Sequence, residues 1–251
     1  MNIKFVTIIT LMYNSSKYIS ETIKSVQNQT YYDWEMIIVD DCSTDNSTSI
    51  VANIASIDDR IILIYQSDNL GAAQARNSAL ELAKGRFIAF LDSDDLWRPD
   101  KLKKQVSFMI RNQVAVSFTS YNLIDEMGNS KGHTYHSVEK INQQEYLKNT
   151  IIGLSTSMID TKFVGNDFRF IDIRTRQDTS LWISILGRGF VAYGMSEVLA
   201  SYRVHSNSIS SNKYRAAKQV WNLYFNIHRL GFFKSVYCFL FYLYNAIKKR
   251  I

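Results

Sequence analysis

Proline is nearly missing from this chain: Pro99 stands alone among 251 residues. No internal repeat and no low-complexity linker breaks the sequence, and its length suits one domain or a domain with an appendage. Cysteine is scarce as well, and Cys42 and Cys238 lie far apart. Two such residues form neither a CxxC zinc pattern nor a disulfide framework, and a reducing compartment is the simplest reading. Met1 to Phe5 runs straight into a strand-like pattern without a charged and then apolar leader, so no signal peptide is expected. Long apolar runs are also wanting. The longest late uncharged stretch, Ser235 to Ile247, has 13 residues. As a helix it spans about 20 Å, short of the roughly 30 Å hydrocarbon core. It is not expected to cross a bilayer alone.

Acidic residues stop at Glu197. The 54 residues that follow carry nine basic groups and no acid. The whole chain has a net charge of +6, so residues 1–197 are net acidic by three charges. A basic balance suggests nucleic acid or a membrane surface as partner, but here only the C-terminal fifth can be argued that way. Carboxylates at strand ends in the acidic portion argue against nucleic acid. The composition is otherwise globular, with 46% hydrophobic and 21% charged residues. A compact chain of this size buries about 70–75% of its unfolded surface.

The first half alternates two periodicities. Phe5–Leu11, Glu35–Val39, Ile61–Tyr65, Phe87–Leu91 and Val114–Thr119 read as strands. Ile19, Ile23 and Val26 recur at helical spacing, as do Ile50, Ile54 and Ile57, and Gly71–Lys84 is rich in Ala and Leu. Leu102, Val106 and Met109 form another helical stripe, with Pro99 suited to its first turn. Strands alternating with helices predict an α/β fold, a mostly parallel sheet flanked by helices. Ligands sit beyond the carboxyl ends of such strands. The polar residues there are Tyr13, Asp40, Asp41 and Asp92 to Asp95.

Asp92-Ser93-Asp94-Asp95 sets three carboxylates at one strand end. Carboxylates this close repel, and a divalent cation relieves the repulsion. Oxygen ligands suit Mg²⁺ or Mn²⁺. The plainer alternative is an acidic turn in which Asp95 or Asp100 caps the next helix. Likewise Asp40 or Asp41 either accepts a ligand N–H or satisfies backbone amides in the following turn.

Taken in order, these segments resemble glycosyltransferase family 2, with the Rossmann-like GT-A fold. The resemblance rests on Val6 to Asn14, Gln27-Asn28-Gln29-Thr30, Trp34 to Asp45, Asn69-Leu70-Gly71 with Ala75-Arg76-Asn77, and Phe90 to Asp95 followed by Pro99. It covers residues 4–210, and Leu11-Met12 departs from the more usual Pro-Thr. It implies that Tyr13 flanks the nucleotide base and that Asp41 accepts from uracil N3–H. It sets Arg76 near the base or diphosphate and Asp92 at the ribose or metal shell. Asp94 is then the direct ligand of Mn²⁺ or Mg²⁺.

Further along, Arg176-Gln177-Asp178-Thr179-Ser180-Leu181-Trp182 matches the family's catalytic-base motif. The family commonly has Glu-Asp at this pair. The aspartate is retained, so Asp178 is the implied base, while Gln177 departs from the pattern. The alternative is that Asp178 N-caps Leu181–Leu186. Ser201 to Ser210 resembles the family's YRxH segment, which implies Arg203 on the diphosphate and His205 on metal or phosphate. His133, His136 and His228 have no such context. Asn122 to Arg174 is the acceptor half, with Ser155-Thr156-Ser157 and Phe163 to Phe170 expected to line or support its pocket.

The resemblance divides the chain into a domain of 1–210, with a nucleotide-sugar half 1–119 and an acceptor half 120–210, and a tail of 211–251. Phe232 to Ile251 holds seven aromatics, four basic residues and no acid. Such a helical appendage suits a membrane interface, packing on the domain, or a dimer contact. The implied activity is inverting, metal-dependent transfer of glucose or galactose from a UDP-sugar. Its implied acceptor is lipid-linked, GlcNAc-diphosphate-undecaprenol, at the cytoplasmic face of the bacterial inner membrane, in O-antigen or capsule assembly. Two other classes are a nucleotide-binding module lacking catalysis, suggested only by Gln177, and a nucleic-acid-binding protein, suggested only by the pI.

Overall fold

The computed structural model describes residues 5–205 and 213–248. Ser206 to Ser210 of the YRxH segment, the 210/211 boundary, Lys249 and Arg250 lie outside the described residues.

The first strands are β1 (Val6–Met12), β2 (Trp34–Asp40), β3 (Ile61–Tyr65) and β4 (Phe87–Phe90). They pair in parallel in the order β3-β2-β1-β4. β1, β2 and β4 are apolar on both faces because helices cover both. Their alternation sorts side chains into two cores. Ile8, Met36, Ile38, Phe87 and Ala89 face one. Ile9, Ile37, Val39, Ile88 and Phe90 face the other. A one-residue slip would exchange the two sets, so the pattern pins the register.

Helix α1 (Ile19–Gln27) buries Ile19, Ile23 and Val26 in the first core. The second helix, α2 (Ser47–Ala55), stops short of Ile57, which is exposed. Small residues Ala73, Ala75 and Ala79 let α3 (Ala72–Leu82) lie close on the other face of the sheet. A further helix, α4 (Lys101–Asn112), presents the expected stripe of Leu102, Val106 and Met109. Pro99 is not in its first turn. It precedes the N-cap residue Asp100, and its carbonyl accepts from Thr30 N at 2.8 Å.

Short β5 (Leu96–Trp97) follows the carboxylate cluster. Later strands are β6 (Val116–Ile124), β7 (Ser130–Tyr135), β8 (Lys140–Ile141), β9 (Met158–Asp160) and β10 (Ala192–Arg203). The sheet runs β3-β2-β1-β4-β9-β6-β10-β5, with β7 on β6 and β8 on β10. Strands β1 to β4 are parallel throughout, and β6 and β10 are parallel to each other. β9 enters antiparallel between β4 and β6, and β5, β7 and β8 are antiparallel too. The α/β architecture with a helix-flanked central sheet is therefore as expected, with antiparallel strands added by the second half. Strand order reverses direction at β1, with β2 on one side and β4 on the other, which opens a crevice at their carboxyl ends.

Helices α5 (Gln143–Lys148), α6 (Thr161–Val164) and α7 (Gln177–Gly187) lie among the later strands. Beyond them, α8 (Lys213–Asn222) leads through a π-helical turn, Leu223–Ile227, into α9 (Phe232–Lys248). Val220, Leu223, Tyr224 and Cys238 from these C-terminal elements join the same core as Trp182 and Phe90. Among the described residues no helix is long and apolar enough to cross a membrane.

Candidate active site

The crevice is built from three strand ends. At the end of β1, Tyr13 is 48% exposed, with a ring free to lie against a planar ligand. Asn14 follows with φ 48°, in the left-handed region that Asn tolerates. Its Oδ1 accepts from Thr44 N at 2.8 Å, and its own N donates to Ser43 Oγ at 3.0 Å. The turn after β1 is thereby knitted to the turn after β2. Asp45 reinforces the join by accepting from the backbone amides of Ser16 and Ser47.

The Asp40-Asp41 pair ends β2. Asp40 accepts from Ser43 N at 3.0 Å and Thr48 Oγ1 at 2.5 Å, so it serves its own turn. Asp41 is 3% exposed and accepts from Leu70 N at 2.8 Å and Gly71 N at 3.0 Å. Gly71 has φ 86°, a conformation a side chain would strain. The three contacts of the Asp41 carboxylate come from two backbone amides, with Gly71 N shared between both oxygens, which leaves about one of a carboxylate's roughly four acceptor positions for a ligand.

Asp92 to Asp95 follow β4. Arg76 Nη2 donates to Asp92 Oδ1 at 2.8 Å, and its Nη1 donates to Gln177 Oε1 at 3.0 Å. One guanidinium therefore joins the end of β4 to the start of α7. Gln177, the departure from the Glu-Asp pattern, is a partner of Arg76 and donates to Ile173 O at 2.6 Å. Asp94 Oδ2 and His205 Nε2 are 2.6 Å apart. Burial, and then the Asp92 charge, push the Asp94 carboxyl up against the pull of His205. Asp95 is wholly buried and caps no helix. It accepts from Ser155 Oγ at 2.5 Å and Arg203 N at 2.9 Å, and burial pushes its carboxyl well up. Asp100 occupies the N-cap position of α4 without a capping hydrogen bond from its side chain.

The Asp94 carboxylate is the oxygen donor that could serve Mn²⁺ or Mg²⁺, and the His205 imidazole beside it could add a nitrogen ligand to a first-row transition ion such as Mn²⁺. Among the described residues no three His, Cys, Asp or Glu side chains form a ready-made cage.

Arg203 corrects an expectation. Its side chain has no exposure. Nε donates to Asp94 O at 2.8 Å, Nη1 to Glu126 O at 3.0 Å and Nη2 to Glu21 Oε2 at 2.7 Å. The guanidinium also stacks on Tyr18 at 4.7 Å. In this arrangement it clamps the Asp94 loop and presents no face to a diphosphate. His205, two residues on, is the member of that segment that reaches Asp94.

Asp178 lies in the first turn of α7, whose N-cap residue is Arg176. It is not the cap, which removes that alternative, and an acid in a first turn complements the helix dipole. Asp178, Asp92, Asp95, Ser155, Tyr121 and Tyr202 line one cavity of about 170 Å³. Ser155 sits on the 3₁₀ turn Leu154–Thr156, and its Oγ also accepts from Asp92 N at 3.1 Å. Phe168 and Phe170 are buried in the core and Phe163 is exposed, and none of the three lines this cavity. Tyr121 and Tyr202 were not singled out from sequence as pocket residues. Their rings meet at 6.1 Å only because β6 and β10 pair.

The crevice has a recognisable counterpart in sequence. A family model described as Glycosyl transferase family 2 matches residues 7–174. The chain belongs to glycosyltransferase family 2. As a family member it is a transferase enzyme, and the two non-enzymatic readings lapse. It is 50% identical over 246 residues to TuaG of Bacillus subtilis, a protein named for teichuronic acid biosynthesis, covering 98% of this chain and 97% of that one. It is 38% identical over 251 residues to WfgD of Escherichia coli, covering 98% and 94%. WfgD is named as a UDP-Glc:alpha-D-GlcNAc-diphosphoundecaprenol beta-1,3-glucosyltransferase, as is WfaP, at 36% identity.

Solved structures show the same GT-A fold. Staphylococcus aureus TarS 1–349 in complex with UDP-GlcNAc superposes with TM-score 0.69 at 21% identity, over 88% of this chain and 67% of that one. A Pyrobaculum calidifontis mannosyltransferase in complex with GDP-Man and Mn²⁺ gives 0.69 at 20%, over 90% and 65%.

Proposed function

We propose that this glycosyltransferase moves a hexose, glucose before galactose, from a UDP-sugar onto a lipid-linked acceptor with inversion. The acceptor is GlcNAc-diphosphate-undecaprenol and the pathway is O-antigen or capsule assembly. The relatives WfgD and WfaP support the donor and acceptor by their names. One observation carries the chemistry. Of three carboxylates on the cavity, Asp92 is paired with Arg76 and Asp95 is enclosed by Ser155 and Arg203. Asp178 accepts only a long contact, 3.5 Å from Thr179 Oγ1, among the described residues. It is the carboxylate placed to take a proton.

Asp178 then accepts the acceptor hydroxyl proton as that oxygen bonds to the anomeric carbon and the bond to UDP breaks. Tyr13 flanks the uracil, Asp41 uses its remaining acceptor position on N3–H, and Asp92 meets the ribose. Arg76 holds Asp92 and Gln177 in place. Asp94 and His205 would hold Mn²⁺ or Mg²⁺, and the ion, when bound, neutralises charge on the departing diphosphate. Residues 1–119 form the nucleotide-sugar half, 120–210 the acceptor half and 211–251 the tail.

The tail supports a peripheral place at the cytoplasmic face of the inner membrane. One face of α9 packs on the domain. Phe233, Tyr237, Leu240, Phe241 and Tyr244 line its exposed face at helical spacing.

The test is transfer from UDP-[14C]glucose to a lipid-diphosphate GlcNAc acceptor, with Mn²⁺ and with chelator. Product is expected with the ion alone. Asp178→Ala and Asp94→Ala are each expected to lower turnover by about 100-fold or more. No product with any common UDP-hexose would overturn the donor assignment, and an active Asp178→Ala would overturn the base.

A further inference from the structure

Both flanks of Asp178 are held by the C-terminal helices. On one side Arg176 has φ 65°, an uncommon conformation for a residue with a side chain. Such a conformation persists where surrounding contacts over-determine it. Arg176 O accepts from Ser180 N at 2.9 Å, and Arg176 Nη2 donates to Tyr242 Oη of α9 at 3.3 Å. On the other side Ser180 Oγ and His228 Nε2 are 2.9 Å apart. His228 follows the π-helical turn, so the two contacts come from separate elements.

Beneath them lies Tyr146 of α5, buried and within electrostatic reach of Asp178. The same appendage fixes α5. Tyr224 Oη donates to Leu147 O at 2.6 Å, and Asn245 Nδ2 donates to Lys148 O at 3.1 Å. Burial lowers the His228 value, so its ring is neutral near neutral pH and can either donate to Ser180 or accept from it.

We propose that the C-terminal helices are a brace that sets the direction of the Asp178 carboxylate, with Tyr242 and His228 as positioning residues. The inference rests on Asp178 being the base. A base works within hydrogen-bond reach of its proton, and a misplacement of about 1 Å can cost about 100-fold in rate. One contact on each flank constrains the first turn of α7 against both sliding and rotation. The appendage thus has two faces with two tasks. The outer aromatic face meets its surroundings, and the inner polar contacts reach the reaction centre.

The full chain is assayed as Tyr242→Phe, His228→Leu, His228→Gln and the Tyr242→Phe/His228→Leu pair. Turnover uses UDP-glucose and a detergent-solubilised lipid-diphosphate GlcNAc acceptor, so membrane docking does not enter. Each of Tyr242→Phe and His228→Leu is expected to lower kcat by about tenfold, and the pair further, with donor KM and UDP affinity within about twofold. His228→Gln, which keeps a hydrogen-bonding group, is expected to recover most of the loss. Amide hydrogen exchange over residues 177–181 is expected to accelerate in the single variants with little change across β1, β2 and β4.

Unchanged kcat and unchanged exchange would overturn the brace. So would a parallel fall in kcat, UDP affinity and Tm, which marks general destabilisation. If the wild-type chain transfers no sugar from any common UDP-hexose, the proposed function fails on its own. Exchange over residues 177–181 then decides the brace.

Discussion

Lys101 is fully buried, where its Nζ donates to Gln105 Oε1 at 2.7 Å and lies 4.0 Å from the Trp97 ring. Gln105 in turn donates to Ser117 Oγ and Thr156 O, while Trp97 Nε1 donates to Ser155 O at 2.7 Å. Burial pulls the lysine down from 10.5 to about 7. The unfolded chain therefore holds this proton more tightly than the folded one. Stability from this group rises with pH between about 7 and 10.5 and is flat below. Urea unfolding at pH 7 and pH 9 is expected to show a gain of about 2 kcal/mol that Lys101→Met lacks. Equal gains in both proteins would contradict the burial effect. Nothing in the local sequence marks Lys101 as buried, because it sits among Lys103 and Lys104 in an ordinary charged helix start. Arg203 is the same kind of case: its motif was visible, but the direction of its guanidinium depends on Glu21 and Tyr18, which are remote in sequence.

Among the elements, α9 gains most from being seen in place. Its sequence left membrane contact, domain packing and dimerisation open. The structure shows packing on one face through Cys238, Tyr242 and Asn245. The other face keeps its aromatics outward. Lys148 Nζ lies 4.9 Å from the Tyr237 ring and 5.2 Å from that of Phe241, so a cation borders the stripe. Tyr237→Ser/Phe241→Ser/Tyr244→Ser is expected to weaken binding to vesicles containing anionic lipid by about tenfold or more, measured by co-sedimentation, and added salt should weaken the wild type. Binding that ignores both changes would remove the membrane role.

Long periodic elements such as α1, α4 and the parallel strands were legible because burial imposes its period on the sequence. β5 and β9 were not. Each is two or three residues long, and their pairing is decided by β10, β4 and β6.

Across the whole molecule the net charge of +6 is a sum of unlike regions. The acidic portion supplies Asp41, Asp92, Asp94 and Asp178, and the basic end supplies the brace and the aromatic stripe. Binding of nucleotide and ion to this crevice should stabilise the folded chain as a unit. UDP with Mn²⁺ at about 100 times Kd contributes about 2.7 kcal/mol. For a chain of this size that is a rise of about 5–10 °C in Tm. Asp94→Ala is expected to lose the Mn²⁺-dependent part in a thermal melt, and a full shift in that variant would remove Asp94 from the ion site.

The sequence by itself determined the family, the parallel first half of the sheet, and which carboxylates and histidine stand at strand ends. These follow from local periodicity and from short motifs whose parts are neighbours in the chain. Only the tertiary structure decided which of those groups are already committed. Asp41 holds the Gly71 turn, Arg203 clamps the Asp94 loop, and Arg76 bridges Asp92 to Gln177. It also decided that Asp178 faces the same cavity as Asp92 and is flanked by Tyr242 and His228. A hydrogen bond depends on where a side chain's partners lie in space, and these partners are brought together by strand order and helix packing.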